Sequence, residues 1–283
     1  MNVRSALQGA EERLREIPDP RLDAEYLLAE ILGVPRLQLL VDQRRELTAE
    51  ETAAFEALII RREGREPLQY ILGSQNFMGF CFRTDSRALI PRYDTEALGQ
   101  AALDAVRPGS AVLDLCTGTG AIAIALKKLC PRAAVTAADI SEDALSLARE
   151  NARALGADVR FVQGNLFSPV AGERFDVIVS NPPYIPDALR GRLQPEVERE
   201  PALALFAGAD GLDFYRRIAR EAPGHLFSGG WLLLEVGDGE MDAVAALLER
   251  DFDPPRRIDD LNGLPRVIAA RIKEESDHAG SAV

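Results

Sequence analysis

From Ser110 onward, strand-like and helix-like segments alternate, and few architectures accommodate that order. Ala111-Val112-Leu113-Asp114-Leu115 is a short apolar run that reads as a buried strand, and Ala121 to Leu129 reads as a helix. Ala134 to Ile140 is the next strand and Glu142 to Leu155 the next helix. Val159 to Val162 and Phe175 to Ser180 read as strands, Leu212 to Ala222 as a helix, Trp231 to Val236 as a strand and Glu240 to Arg250 as a helix. Such alternation predicts a parallel sheet with helices on both faces. The end of the run breaks the pattern: Arg256 to Ile258 and Arg266 to Ile272 flank Asn262-Gly263, which predicts an antiparallel pair around a turn.

The front of the chain is of another kind. Val3 to Glu63 reads as helical, with Leu22, Tyr26, Leu27, Ala29 and Ile31 close to helical spacing. Pro18, Pro20 and Pro35 fall at helix boundaries, and Thr48 followed by Glu51 resembles a capping box. Phe77, Phe80 and Phe82 around Met78-Gly79 predict a short β-hairpin. The expected organisation is a small helical domain over 1–73, a hairpin linker over 74–91, a larger sheet domain over 92–273 and a disordered tail over 274–283.

Composition narrows the function classes. A formal net charge of -12 argues against stable nucleic-acid binding, which draws on Lys and Arg clusters. Cys81, Cys116 and Cys130 form no C-x-x-C pair, and His225 and His278 are the two histidines, so neither a disulfide framework nor a metal site is expected. The first residues lack an apolar signal core and no apolar run approaches the length of a membrane span. The expectation is a cytoplasmic monomer with no membrane association.

Asp114-Leu115-Cys116-Thr117-Gly118-Thr119-Gly120 follows a strand and opens a helix. Glycines there let the backbone turn sharply and approach a ligand. Asp139 ends the next strand, where a carboxylate can accept hydrogen bonds from both hydroxyls of a ribose. Gly118-x-Gly120-x-x-Ala123 also fits a dinucleotide fingerprint, and a tight turn without a ligand is the plain alternative. Asp114 tips the choice. A carboxylate before the glycines repels a pyrophosphate but can orient the cationic methionine end of S-adenosyl-L-methionine. Asn165, with Leu166 beside it, is either an acceptor for the adenine amino group or a turn residue. A parallel sheet closed by an antiparallel hairpin is also more typical of methyltransferases than of dehydrogenases. The predicted fold class is α/β: a class I methyltransferase Rossmann-like sheet with a C-terminal antiparallel hairpin, plus a small N-terminal helical domain.

The strand Phe175 to Ser180 runs straight into Asn181-Pro182-Pro183-Tyr184. The prolines fix φ and remove two N–H donors, leaving the Asn181 side-chain oxygen and the Pro182 carbonyl as acceptors. An amide or aromatic amino nitrogen is a weak nucleophile because its lone pair is delocalised. Two acceptors gripping its N–H bonds aim the lone pair at a methyl donor. Tyr184 is expected to pack on the flat target group. The plain alternative is a Pro-rich turn.

Several stretches resemble the release factor glutamine methyltransferases. Arg65 to Gly73 resembles that family's R-x-P-L-x-Y-I-x-G segment, and Leu89 to Glu96 its I-P-R-x-x-T-E segment. Glu200-Pro201 with Leu203, Gly211-Leu212 with Tyr215, and Leu233 to Gly237 resemble further pieces, so the likeness covers nearly the whole chain. The resemblance implies methylation of the side-chain N5 of the glutamine in the Gly-Gly-Gln loop of class I peptide-chain release factors. It further implies that Asn181 and Pro182 grip that amide, and that the helical front domain docks the release factor. Asn181 to Tyr184 is shared with nucleic-acid adenine N6-methyltransferases, which is the alternative reading. A non-catalytic cofactor-binding protein is a third.

Three positions depart from the family pattern. Cys116 stands where Gly is usual, and would be strained if that position needs a positive φ. Tyr93 replaces a second Pro, and Asn165 replaces an Asp, keeping an oxygen but losing the charge. Asp94 or Thr95 is expected to cap the helix that follows, and Arg92 and Glu96 are candidates for structural ion pairs.

Overall fold

The computed structural model describes residues 1–273 of the 283; residues 274–283, expected to be a disordered tail, lie outside the described residues. The chain divides into two compact units, 1–74 with 194–199 and 75–193 with 200–283.

The first unit is helical: α1 (Val3–Arg13), α2 (Pro20–Leu32), α3 (Gln38–Val41), α4 (Ala49–Glu63) and α5 (Leu68–Leu72). The Thr48 side chain accepts from the Glu51 N–H and the Glu51 side chain accepts from the Thr48 N–H, so the predicted capping box starts α4. Leu7, Leu27, Leu28, Phe55 and Ile59 form its core. Of the expected apolar positions on α2, Leu27 and Ala29 are buried, whereas Leu22 and Tyr26 are exposed. The unit recruits a distant segment. Buried Arg62 bonds Asp23 at 2.7 Å and Glu196 at 2.8 Å, and Arg65 bonds Glu196 at 2.9 Å.

From Gln75 on, the second unit carries most of β1 (Ser74–Phe77) and all of β2 (Phe80–Arg83), a hairpin turned at Met78 and Gly79, both at positive φ. Phe77 and Phe82 meet edge to face and are fully buried in the core of this unit. The hairpin is therefore part of the sheet unit and not a free linker, because its aromatic face needs that core. The remaining elements are α6 (Glu96–Ala105), β3 (Ala111–Leu115), α7 (Ala121–Leu129), β4 (Ala134–Asp139), α8 (Glu142–Leu155), β5 (Arg160–Gln163), β6 (Phe175–Ser180), α9 (Asp213–His225), β7 (Leu226–Glu235), α10 (Met241–Leu248), β8 (Arg256–Asp259) and β9 (Pro265–Arg271).

The sheet order is β5-β4-β3-β6-β7-β9-β8. Strands β3 to β7 pair parallel, and β9 pairs antiparallel with both β7 and β8. Alternate residues face opposite layers. Leu113, Ile178, Leu232 and Leu234 join the core under α9 and α10, while Val112, Val177, Val179 and Leu233 join the core under α6 and α7. Burial on both faces explains why these strands are continuously apolar. This is the predicted α/β class, with the antiparallel pair at its edge.

Candidate active site

Two loops leave the carboxyl edge of the sheet side by side. The register pairs Leu115 with Ser180, so Cys116 and Asn181 begin adjacent loops. The Ser180 hydroxyl donates to the Leu115 carbonyl at 2.8 Å and ties the strand ends together. Between β3 and β6 the strand order reverses, with β4 and β5 on one side and β7 on the other. Open α/β sheets bind ligands in the crevice above that point.

The Gly-rich loop is anchored to β4. The Gly118 N–H donates to Asp139 Oδ2 at 2.9 Å, and the Ser141 N–H donates to Asp139 Oδ1 at 2.9 Å. Each carboxylate oxygen keeps a lone pair for a further donor. Burial raises the Asp139 pKa, against the lowering effect of the N–H groups of Ser141, Gly118 and Ile140. Gly120 has φ 79, and a Cβ there would lie 2.9 Å from Ile124 Cδ1 and 3.1 Å from Ala148 Cβ, so only glycine fits. Cys116 has φ 57, the left-handed region. That costs a side-chain-bearing residue about 1 kcal/mol. Leu166, with φ 51, is in the same condition.

A cavity of ≈ 840 Å³, its open mouth included, lies against these loops. Of the residues singled out in the sequence, Cys116, Gly118, Asp139, Asn165, Leu166, Asn181 and Pro183 line it. Others do not. Asp114, expected to orient the cationic end of the cofactor, is 1% exposed and sits beneath the loop. Its Oδ2 accepts from the Thr117 hydroxyl at 2.6 Å and the Ala123 N–H at 3.2 Å, capping α7, while its Oδ1 is buried without a partner. Burial pushes its pKa up to about 7. Thr117 and Thr119 are buried as well, and neither they nor Gly120 line the cavity. These residues shape the turn from behind.

In the second loop Asn181 Nδ2 donates to Thr95 Oγ1 at 3.2 Å, and no hydrogen bond to Asn181 Oδ1 is found among the described residues. Pro182 is buried and outside the cavity lining, whereas Pro183 is part of it. Tyr184, expected against the target group, packs inward: a Cβ on Gly237 would lie 2.9 Å from Tyr184 Cδ2. Burial raises its pKa. The ring serves as a backstop to the loop, because Gly237 leaves room for it.

The sequence reading missed one wall of the cavity: Ile140, Leu203, Ala204, Phe214 and Arg217. Arg217 donates to Asn165 Oδ1 at 2.7 Å. The signal was present in the Glu200-to-Leu203 and Gly211-to-Tyr215 stretches, which carried a resemblance but no assigned chemistry. Their other members are scaffolding. Glu200 accepts from the Ile90 N–H at 2.9 Å and pairs with Arg92, and the Tyr215 hydroxyl donates to the Glu235 carbonyl at 2.9 Å. The expected helix cap is absent. Thr95 precedes α6 without a capping bond, since its hydroxyl takes Asn181, and Asp94 faces Asn262 and Arg266 instead. Glu96 accepts from the Met78 N–H at 2.7 Å and makes no ion pair among the described residues.

Comparison with known proteins gives two family matches, the PrmC N-terminal domain over residues 5–73 and the methyltransferase small domain over residues 95–191. The chain is 46% identical over 258 residues to the release factor glutamine methyltransferase of Geobacter sulfurreducens, covering 90% of this chain and 91% of the relative. It is 42% identical over 275 residues to the protein of the same name from Deinococcus radiodurans, covering 96% and 99%. A methyltransferase structure from Pyrococcus furiosus superposes with a TM-score of 0.52 at 21% identity, covering 78% of this chain and 98% of that one. At that identity the likeness concerns the fold alone.

Proposed function

This chain belongs to the release factor glutamine methyltransferase family, and on that premise we propose that it methylates the side-chain N5 of the glutamine in the Gly-Gly-Gln loop of class I peptide-chain release factors. S-adenosylmethionine is the cofactor, and when bound it supplies an electrophilic sulfonium methyl group. The residues present fit it. Asp139 offers free carboxylate lone pairs at the rim, Leu166, Leu203 and Phe214 offer apolar walls for a flat ring, and a Cβ on Gly118 would meet nothing within 4 Å. The buried, unpartnered Oδ1 of Asp114 adds negative potential behind the glycine turn. Asp139 would hold the ribose, Leu166 and Phe214 the adenine, and Asn165 the adenine amino group through the oxygen it shares with Arg217.

One observation carries the substrate side. Asn181 stands at the switch point with its amide nitrogen held by Thr95 and its oxygen uncommitted. That oxygen and the Pro182 carbonyl would accept the two N–H bonds of the target amide and turn its nitrogen lone pair toward the methyl donor. Positive charge growing on the nitrogen strengthens both bonds in the transition state. No base need act in that step, because the proton leaves afterwards.

The finer points follow from the same reading. The helical unit exposes Leu37, Leu40 and Val41, an apolar surface suited to docking the release factor. A net charge of -12 favours a protein substrate over nucleic acid. A monomer acting in the cytoplasm suffices for this chemistry, and among the described residues no helix is long and apolar enough to cross a membrane.

The test is methylation of a recombinant release factor with labelled cofactor, followed by mapping of the modified residue. Label on the loop glutamine, lost when that glutamine is replaced by alanine, is the expected result. Equal labelling of the alanine variant, or labelling of adenine in DNA or RNA with none on the release factor, would reject the assignment.

A further inference from the structure

A side-chain carboxamide has two nearly isosteric ends, and only one of them accepts. For Asn181 to grip a target amide, its oxygen must face the cavity and its NH2 must face inward. The loop backbone does not decide between these, since a half-turn about the last side-chain bond exchanges them. The decision falls to whatever meets the inner end.

That partner is Thr95, 5% exposed, whose hydroxyl can accept from NH2 or donate to C=O. Behind it lies Glu235, 2% exposed, at the end of β7. The register pairs Ser180 with Leu234, so Asn181 and Glu235 are the next residues out on neighbouring strands. The Glu235 carboxyl lies close enough to Thr95 and Asn181 for both to favour its charged form, and its Oε2 is buried with no hydrogen-bond partner, the atom toward which the Thr95 hydroxyl hydrogen can turn. The adopted function gives this carboxyl no part in methyl transfer.

We propose that Glu235 is a positioning residue that sets the direction of the hydrogen-bond chain from Asn181 Nδ2–H to Thr95 Oγ1–H to the Glu235 carboxylate, and so keeps the Asn181 oxygen turned to the cavity. A carboxylate only accepts. It claims the single hydrogen of the Thr95 hydroxyl, which leaves Thr95 with lone pairs alone toward Asn181. Only the NH2 end can then face inward. Protonation removes the instruction. A carboxylic acid can donate to Thr95, freeing the Thr95 hydrogen for the Asn181 oxygen, and both orientations become acceptable.

The surroundings place this switch within reach of ordinary pH. Burial pushes the Glu235 carboxyl up to about 7, against the hydrogen bond from Thr95, the charge of Arg266 and the amide of Asn181. Asp94, before α6, opposes ionisation, and Tyr184 and Tyr215 face the carboxyl as neutral phenols. Arg266 is shared with Asp238 and Asp260, and Glu240 lies toward Tyr215. Raised above its ordinary value, the group is protonated on the acid side and ionised on the alkaline side. The oriented form of Asn181 therefore gains as pH rises through about 7.

The proposal rests on the methyltransferase reading, and one arm of its test does not. In the purified full-length protein, the side-chain NH2 resonances of Asn181, assigned by their loss in Asn181→Asp, should titrate with a midpoint near the Glu235 value of about 7. That titration should vanish in Glu235→Gln. This readout needs no substrate, so it stands even if no release factor is methylated. The second arm is kinetic. Glu235→Gln and Thr95→Val should each lower kcat about tenfold, the worth of one hydrogen bond's preference. Affinity for S-adenosylmethionine should change less than about twofold, Glu235→Gln should lose the acid limb of the kcat profile, and Thr95→Ser should recover most of what Thr95→Val loses. An Asn181 signal that titrates alike in wild type and Glu235→Gln, or an unaltered acid limb in that variant, would overturn it. Thr95→Val separates the outcomes should Glu235→Gln fail to fold.

Discussion

Asn181 and Asp139 line one cavity yet answer to different partners, and substitutions should separate them. Asn181 meets the target, so Asn181→Ala should lower kcat about a hundredfold or more, while the cofactor Kd changes less than about threefold. Asp139 meets the cofactor, so Asp139→Ala should raise the cofactor Kd at least about tenfold and leave kcat at saturation much nearer the wild-type value. Titration calorimetry beside steady-state kinetics measures both; parallel losses in both parameters for both variants would contradict the division. Asp114 acts on stability as well. Its pKa rises from 3.8 to about 7 on burial, so the folded state binds the proton more tightly than the unfolded one. The stabilisation from this linkage is complete below about pH 4 and is lost as pH rises through about 7, amounting to at most about 4 kcal/mol. Urea unfolding of the cofactor-free protein from pH 5 to pH 8 should show that decline, and Asp114→Asn should flatten it.

Among the elements, the sites of close approach are the vulnerable ones. α7 must start against α8, which is why Gly120 carries no side chain and sits at φ 79. Gly120→Ala should cost about 2 to 3 kcal/mol from left-handed strain and overpacking, and should weaken cofactor binding because the turn moves with it. A variant with wild-type unfolding midpoint and wild-type affinity would show that the contact is soft. Most elements of the sheet unit were legible in the sequence, because strands buried on both faces are continuously apolar and the intervening helices are amphipathic. One reading failed for a reason of distance. Thr95 looked like a helix cap, a role that its neighbours in sequence would support, but a residue distant in the chain, Asn181, claims its hydroxyl first.

For the molecule as a whole, the two units have separate cores, one around Leu28 and Phe55 and the other on the two faces of the sheet. Leu28→Ala should cost the helical unit about 2 to 5 kcal/mol while leaving cofactor affinity in the sheet unit unchanged. Scanning calorimetry should show one transition shifted and a second in place; a single transition moving as a block would mean that the cores unfold together. The strand–helix alternation and the two loops at strand ends determined by themselves the fold class and the place of Asn181 at a strand end, because backbone propensity and burial period are written locally. The tertiary structure alone decided that 194–199 joins the helical unit through Arg62 and Arg65, that Phe77 and Phe82 belong to the sheet core, and that Phe214 and Arg217 close the cavity. Those contacts join residues far apart in the chain, and pairing at such separation is selected by the geometry of packing, which no local pattern encodes.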